Sequence, residues 1–337
     1  MKYFASVIMV SAALSWGYPA NSADYQLGKE AYLSGDFKGA LNEWEPLAIK
    51  GDVRAQYVLG VAYSEHKQIE PAIKWFTLAA EQGHAAAQYN LGLIYFKGEG
   101  VPKNISKTVE LYSLAAQNGQ PEAQFNLGWM YENGQGVDTD LKAAGHWYTQ
   151  SAEQGQMFAQ HNLGMMYLKG IGFAQDFKKA FSFLKSSAEQ GHMLAQGNVG
   201  AMYEKGDGVE KDLKVAAHWY TLAAKQGNVT ATFNLGMLMA LGKGMLQNNG
   251  AAFTLIKSAA ERGHMLAQNN LGLMYFKGVG SPQDLPRAHM WTTFSATQGN
   301  ETSIHNIDIF EEKMSAGQQE EAQRLAGECV AKKYKGC

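Results

Sequence analysis

Ser182-Phe183-Leu184-Lys185 is a run in this 337-residue chain that matches a nucleophile motif. In S-x-x-K a serine hydroxyl attacks an acyl carbon and a neighbouring lysine handles the proton, as in serine β-lactamases. The S-D-N and K-T-G partners of that motif are absent from the sequence, and Ser182 falls inside a helical stretch. His84, His192 and His264 each follow a glycine that ends a helix, in three different copies of a repeat. Copies stacked along a chain hold such residues too far apart for one metal, so helix starts are the expected role. Asp207, Glu210 and Asp212 share a loop without calcium-hand spacing, which reads as a turn and a helix cap. H-E-x-x-H, paired-cysteine zinc patterns, phosphate-binding glycine loops and dinucleotide fingerprints do not occur. No catalytic, cofactor-binding or metal-binding residue is therefore expected, and no cofactor.

The elements that would position any site are repeats. Gly119 to Gln154 spans 36 residues, and copies open at Gly83, Gly119, Gly155, Gly191, Gly227 and Gly263 without slippage. A shorter copy opens at Gly51, and Gly299 begins a degenerate one. Such a period signals a solenoid, in which each unit buries its apolar face against its neighbours. Within a copy, Ala123, Leu127 and Met130 share one helical face over Pro121 to Asn133, and Gly134 follows where a left-handed cap favours glycine. Asp140 then precedes a second helix, Leu141 to Gln154, in the position of an N-cap. The column of Ala55, Ala87, Ala123, Ala159, Ala195, Ala231 and Ala267 faces a second small column that includes Ala144 and Ala216. Two facing small columns bring the paired helices close. The bulky column, Trp75, Leu111, Trp147, Phe183, Trp219, Leu255 and Trp291, is expected to fill the seams between hairpins.

The run A-Q-Y-N-L-G-x-x-Y-x-x-G-x-G-V, followed by a helix ending A-A-E-Q-G, resembles the Sel1-like repeat, a relative of the tetratricopeptide repeat. The resemblance covers roughly residues 51–298, while residues 24–50 are similar to an ordinary tetratricopeptide unit through Gly28, Ala31, Gly35, Asp36, Phe37, Ala40 and Trp44. It departs at Met239 and Thr232, which replace a recurring tyrosine and glutamine. The resemblance implies an all-α fold, an α/α superhelical solenoid of hairpins that binds other proteins. The family includes adaptors in envelope assembly, sensing and host interaction, including immunoglobulin binding. Some cysteine-rich relatives are linked to β-lactam hydrolysis, but those are stapled by cysteine pairs in their repeats, which this chain lacks. The domain reading is a leader over 1–23, a tetratricopeptide-like unit over 24–50, repeats over 51–298 and a degenerate unit with a capping helix over 299–337, forming one elongated body.

Residues 1–23 place Lys2 before an apolar run from Tyr3 to Trp16, then Pro19, Ala20, Ser22 and Ala23. That is the layout of a secretory signal peptide cleaved after Ser22 or Ala23, and the run is short of the ~20 residues a membrane span needs. A periplasmic or secreted, bacterial, monomeric protein is expected, with no membrane span in the mature chain. The two cysteines, Cys329 and Cys337, would pair in such a compartment and fold the tail back on the last helix. A net charge of −2 with only four arginines carries no electrostatic footprint for nucleic acid.

A protein or peptide partner would sit on a stripe of the first helix at positions 125, 129 and 132. Across copies this stripe contributes Tyr89, Leu93 and Phe96, then Phe125 and Trp129, His161 and Met165, and Phe233 and Met237. The stripe stays bulky while changing identity, as a recognition surface does. Trp129 is the one tryptophan of its column. Lys97, Lys169, Lys205 and Lys277 border it, a charge row that reads as a solvated rim, with an acidic partner segment as the alternative. The recurring Asn90, Asn126, Asn162, Asn198, Asn234 and Asn270 are expected to bond backbone between adjacent hairpins. The function expected is a non-enzymatic interaction scaffold, with a cell-wall or β-lactam hydrolase and a structural spacer as alternatives.

Overall fold

Each 36-residue copy folds as its spacing predicts. The computed structural model describes residues 23–337, so the leader reading over residues 1–22 lies outside the described residues. Among the described residues there are eighteen helices and no strand. They fall into two compact units that part between Gln175 and Asp176.

The first unit contains α1 (Ala23–Leu33) with α2 (Phe37–Ile49), α3 (Val53–Glu65) with α4 (Ile69–Glu81) and α5 (Ala85–Lys97) with α6 (Ile105–Gln117). It continues with α7 (Pro121–Asn133), α8 (Leu141–Glu153) and α9 (Met157–Lys169). The second unit contains α10 (Phe177–Glu189), α11 (Met193–Lys205) with α12 (Leu213–Lys225) and α13 (Val229–Leu241) with α14 (Asn249–Glu261). It ends with α15 (Met265–Lys277), α16 (Leu285–Thr297), α17 (Glu301–Glu311) and α18 (Ala316–Ala331). We call the first helix of each hairpin A and the second B.

Caps set the lengths. Gly134 ends α7 in the left-handed region (φ 65°, ψ 37°), and its N–H donates to the Met130 carbonyl. Asp140 starts α8 by accepting from the N–H of Lys142 at 2.9 Å and of Ala143 at 3.0 Å. Asn104, Asp176, Asp212, Asn248 and Asp284 cap their B helices in the same way. In the loop between, Gly244 (φ +73°) runs so close to the start of α12 that an added Cβ would lie 2.3 Å from the Leu213 carbonyl oxygen.

The alanine columns are buried as expected, with Ala123 and Ala144 at zero exposure. The seam-filling column, however, is one residue beyond the tryptophans. Trp75, Leu111 and Trp291 are buried, but Trp147, Phe183, Trp219 and Leu255 are only half-buried. Phe76, Tyr112, Tyr148, Leu184, Tyr220 and Ile256 are the fully buried side chains. One residue is 100° of helix, and that turn aims the later column at a helix-A glycine. Tyr148 lies over Gly128 and Tyr220 over Gly200, where a Cβ would stand 2.9 Å and 2.7 Å from the rings.

A polar relay ties hairpin to hairpin. Gln124 Nε2 donates to the Ala116 carbonyl of the preceding hairpin at 3.0 Å, and its Oε1 accepts from Gln154 Nε2 at 2.8 Å. Gln88 with Asn118 repeats this in the first unit, and Gln196 with Gln226 and Gln268 with Gln298 repeat it in the second. In the copy that carries Thr232, Arg262 replaces the glutamine and donates to the Gly227 carbonyl at 2.7 Å. Glutamines thus carry the inter-hairpin bonds to backbone carbonyls, while Asn162 and Asn234 reach the Tyr148 and Tyr220 hydroxyls of the preceding hairpin. Asn270 donates to Leu266 inside its own helix, and Asn90 makes no protein hydrogen bond.

At the C-terminus α18 packs on α16. Cys329 and Cys337 form the expected disulfide. The chain turns back through left-handed residues at Lys333 and Tyr334, and Tyr334 sets its ring edge-on to Phe294 at 5.1 Å.

Candidate partner-binding face

Within each unit an A helix packs on the preceding B helix and on its own B helix, and α3 with α5 and α11 with α13 also meet as one A helix and the next. The residues at position 125 point into that last junction. Tyr57 stacks on His84 at 4.4 Å and Phe233 stacks on His264 at 4.8 Å, in each case across to the residue that starts the next A helix. Tyr89, Leu93, Phe125 and Phe233 are accordingly buried, and their side chains serve packing rather than a partner. Phe96, Trp129, His161, Met165 and Met237 remain half-buried. The expected stripe is therefore split. At position 125 Tyr89, Phe125 and Phe233 are covered while His161 is half-buried, and at position 129 Leu93 is buried while Trp129, Met165 and Met237 are half-buried.

The side left open runs through positions 122, 126, 129 and 133, about 60° from the one expected. In the second unit it carries Leu194, 37% exposed, and Leu266, 46% exposed, in the first turn of their helices. Asn198, Asn234 and Asn270 follow one turn later, all half-buried, and then Ala201, Met237 and Leu273. Lys205, Leu241 and Lys277 close the last turn. The degenerate copy joins in with Asn306, Ile309 and Lys313. In the first unit the same side is tighter. Asn90 and Asn126 are each 1% exposed, and the amide nitrogen of each finds no protein acceptor. The asparagine amides lie beside tyrosine hydroxyls, Asn90 beside Tyr57 and Asn126 beside Tyr89 and Tyr112. Burial pushes all three phenols well above their ordinary range, so they stay protonated.

The other chemical candidates resolve into structural roles. His84 and His264 each accept an N-terminal backbone N–H through Nδ1, from Ala87 and Ala267 at 3.2 Å. Burial lowers the pKa of both rings, which keeps the accepting lone pair available. Sequence reading located the histidines in this column but missed its other members. Gln156 and Asn228 hold the same position and cap their helices through side-chain oxygens. Ser182 is exposed on α10, and Lys185 is ion-paired with Glu189 at 3.6 Å. A solvent-accessible, ion-paired lysine beside an exposed serine is not the desolvated pair that S-x-x-K chemistry needs. Among the described residues no group of three His, Cys, Asp or Glu side chains is placed to hold a metal ion.

The Sel1 repeat profile matches seven stretches, residues 53–84, 85–120, 121–156, 158–192, 194–228, 229–264 and 266–300. Among solved structures, the chain is similar at 30% identity to a protective antigen present in uropathogenic Escherichia coli strains that displays an SLR fold. That match covers 93% of this chain and 84% of the other, with a TM-score of 0.52. It is also similar at 30% identity to a Sel1 repeat protein from Oxalobacter formigenes, over 71% of this chain and 96% of that one, with a TM-score of 0.61.

Proposed function

The chain belongs to the Sel1 repeat family, and from that premise we propose that it is an exported, non-enzymatic scaffold that holds a protein or peptide segment on its A-helix face. The observation that carries this reading is the column at position 129. Ala201 satisfies that position in one copy, so the repeat does not require bulk there. Trp129, Met165, Met237 and Leu273 nevertheless place large side chains at it, each half-buried. Leu93 in the same column is buried, whereas Trp129, Met237 and Leu273 rest on the core with one side and stay partly open on the other, as binding anchors do.

Export through the leader over residues 1–23, to the periplasm or beyond, is supported by the Cys329–Cys337 disulfide. The description of the Escherichia coli relative as a protective antigen fits the same location. No described helix is long and apolar enough to cross a membrane. We take the mature chain to act as a monomer.

Crosslinking from the native envelope fraction tests the reading. Partners recovered with the parent chain are expected to be lost with Trp129→Ala, while helicity is unchanged. Identical recovery from both would instead favour a spacer that only sets distance. A chromogenic β-lactam hydrolysed by the parent and not by Ser182→Ala would favour the hydrolase.

A further inference from the structure

The A-helix face of the second unit departs from its own repeat rule at one place. The last turn of the A helix ends in lysine at Lys97, Lys169, Lys205 and Lys277, where a cation complements the helix C-terminus. In α13 that position is Leu241, which forgoes the electrostatic benefit and leaves a leucine 54% exposed. Nothing in the hairpin demands it, since the same position in α11 and α15 is served by lysine. Beside it Met237 and Leu273 continue the apolar strip, and Lys205 and Lys277 stand on either side, with Lys313 beyond.

Over α11, α13 and α15 the charge is one-sided, while the degenerate copy that follows brings Asp308, Glu311 and Glu312 beside Lys313. The A helices α11, α13 and α15 carry a single acid, Glu204, and its carboxylate accepts from the Tyr220 hydroxyl at 2.6 Å. Among the described residues Lys205 and Lys277 have no acidic group within ion-pair distance, and Lys313 lies over the Phe276 ring at 5.1 Å. Asp207, in the loop after α11, and Glu312, beside Lys313, are the nearest acids in sequence.

We infer that this face takes an extended acidic peptide segment, with one apolar side chain set over Met237 and Leu241 and carboxylates directed at Lys205 and Lys277. The inference rests on the scaffold reading above and adds the chemistry of its partner. Neighbouring A helices stand ~8–10 Å apart, and an extended chain advances ~3.3 Å per residue. About three residues of the partner therefore cross each helix. Its acids fall about three positions before and three after the apolar residue.

Selection of a random dodecapeptide display library on the purified chain tests this, followed by anisotropy with one labelled consensus peptide. Selected peptides are expected to carry that acid–apolar–acid spacing, and binding should weaken as salt rises. Lys205→Glu with Lys277→Glu should lower affinity about tenfold or more at low salt. A peptide with its acids changed to lysine should recover binding to that variant and not to the parent. Leu241→Lys should also weaken the consensus peptide. All three positions are exposed, so circular dichroism should not change. Selected peptides without acidic bias, or full affinity in the lysine variant, would overturn the inference. If Trp129→Ala then still weakens those peptides, the scaffold reading stands and only the partner chemistry falls. An empty selection, or affinity indifferent to every variant, would overturn both.

Discussion

Gly128→Ala sets helix propensity against packing, and the geometry says which prevails. Gly128 lies inside α7 with helical backbone, so a methyl group there removes chain entropy from the unfolded state and favours the helix by ~1 kcal/mol. The new Cβ would stand 2.9 Å and 3.0 Å from two ring carbons of Tyr148 and 3.2 Å from the Ala144 carbonyl oxygen. The ring has little room to retreat. Tyr148 is fully buried, its hydroxyl donates to Glu132 at 2.6 Å, and Phe125 lies 5.8 Å away on its flank. Overpacking of this kind costs ~1–3 kcal/mol, and a ring this confined belongs in the upper part of that range, which leaves a net loss of up to ~2 kcal/mol. Gly327 is the matched control. It is exposed within α18 with nothing within 4 Å of an added Cβ, so Gly327→Ala should stabilise by ~0.5–1 kcal/mol. Stacked repeats need not unfold all at once. The assay is therefore hydrogen exchange of α7 and α8, alongside urea midpoints. A cycle with Tyr148→Leu, the size used at Leu184, should return a coupling of about 1 kcal/mol or more. A Gly128→Ala chain as stable as the parent would refute the close-approach account of how the hairpins pack.

Other perturbations follow from the same geometry. His84→Asn keeps the capping oxygen that Asn228 already supplies in its copy, and removes a titrating group. The His84 and His264 pKa values are lowered from 6.5 in the fold, so the unfolded chain binds protons first as pH falls. Their contribution is complete above 6.5 and is lost as pH drops from 6.5 through the folded values. Thermal melts at pH 7 and pH 5 should differ less for His84→Asn than for the parent. Gln124→Ala removes two hydrogen bonds, while the Ala116 carbonyl keeps the Gly119 N–H and the Gln154 amide keeps the Gly119 carbonyl. At ~0.5–1.5 kcal/mol each, the change should cost ~1–3 kcal/mol, with faster exchange confined to α6, α7 and α8. Reducing the disulfide, or Cys329→Ser, should cost no more than ~2–3 kcal/mol. The loss should speed exchange in α18 while the repeats stay protected. Equal protection of α18 in both forms would count against the bridge as an end cap.

The repeat frame was legible in the chain because its signals are local. A glycine that must adopt a left-handed cap, an Asp or Asn that must accept two backbone N–H groups, and an alanine column at helical spacing each announce themselves within one copy. Hairpin boundaries followed from those, and the pairing of Cys329 with Cys337 was expected from an even, closely spaced pair behind an export leader. Which side of each A helix stays open did not, since that depends on neighbours 36 or more residues away. Positions 125 and 129 differ by little in sequence pattern, yet Phe125 and Phe233 are covered while Trp129 and Met237, one turn on, stay half-buried. The same non-local cause moved the seam from Trp147 to Tyr148, and the hairpin link to backbone carbonyls from asparagine to glutamine. Periodicity reports a residue's angle on its own helix. Only stacking decides what stands opposite that angle, and so whether a bulky side chain is core or is offered to a partner.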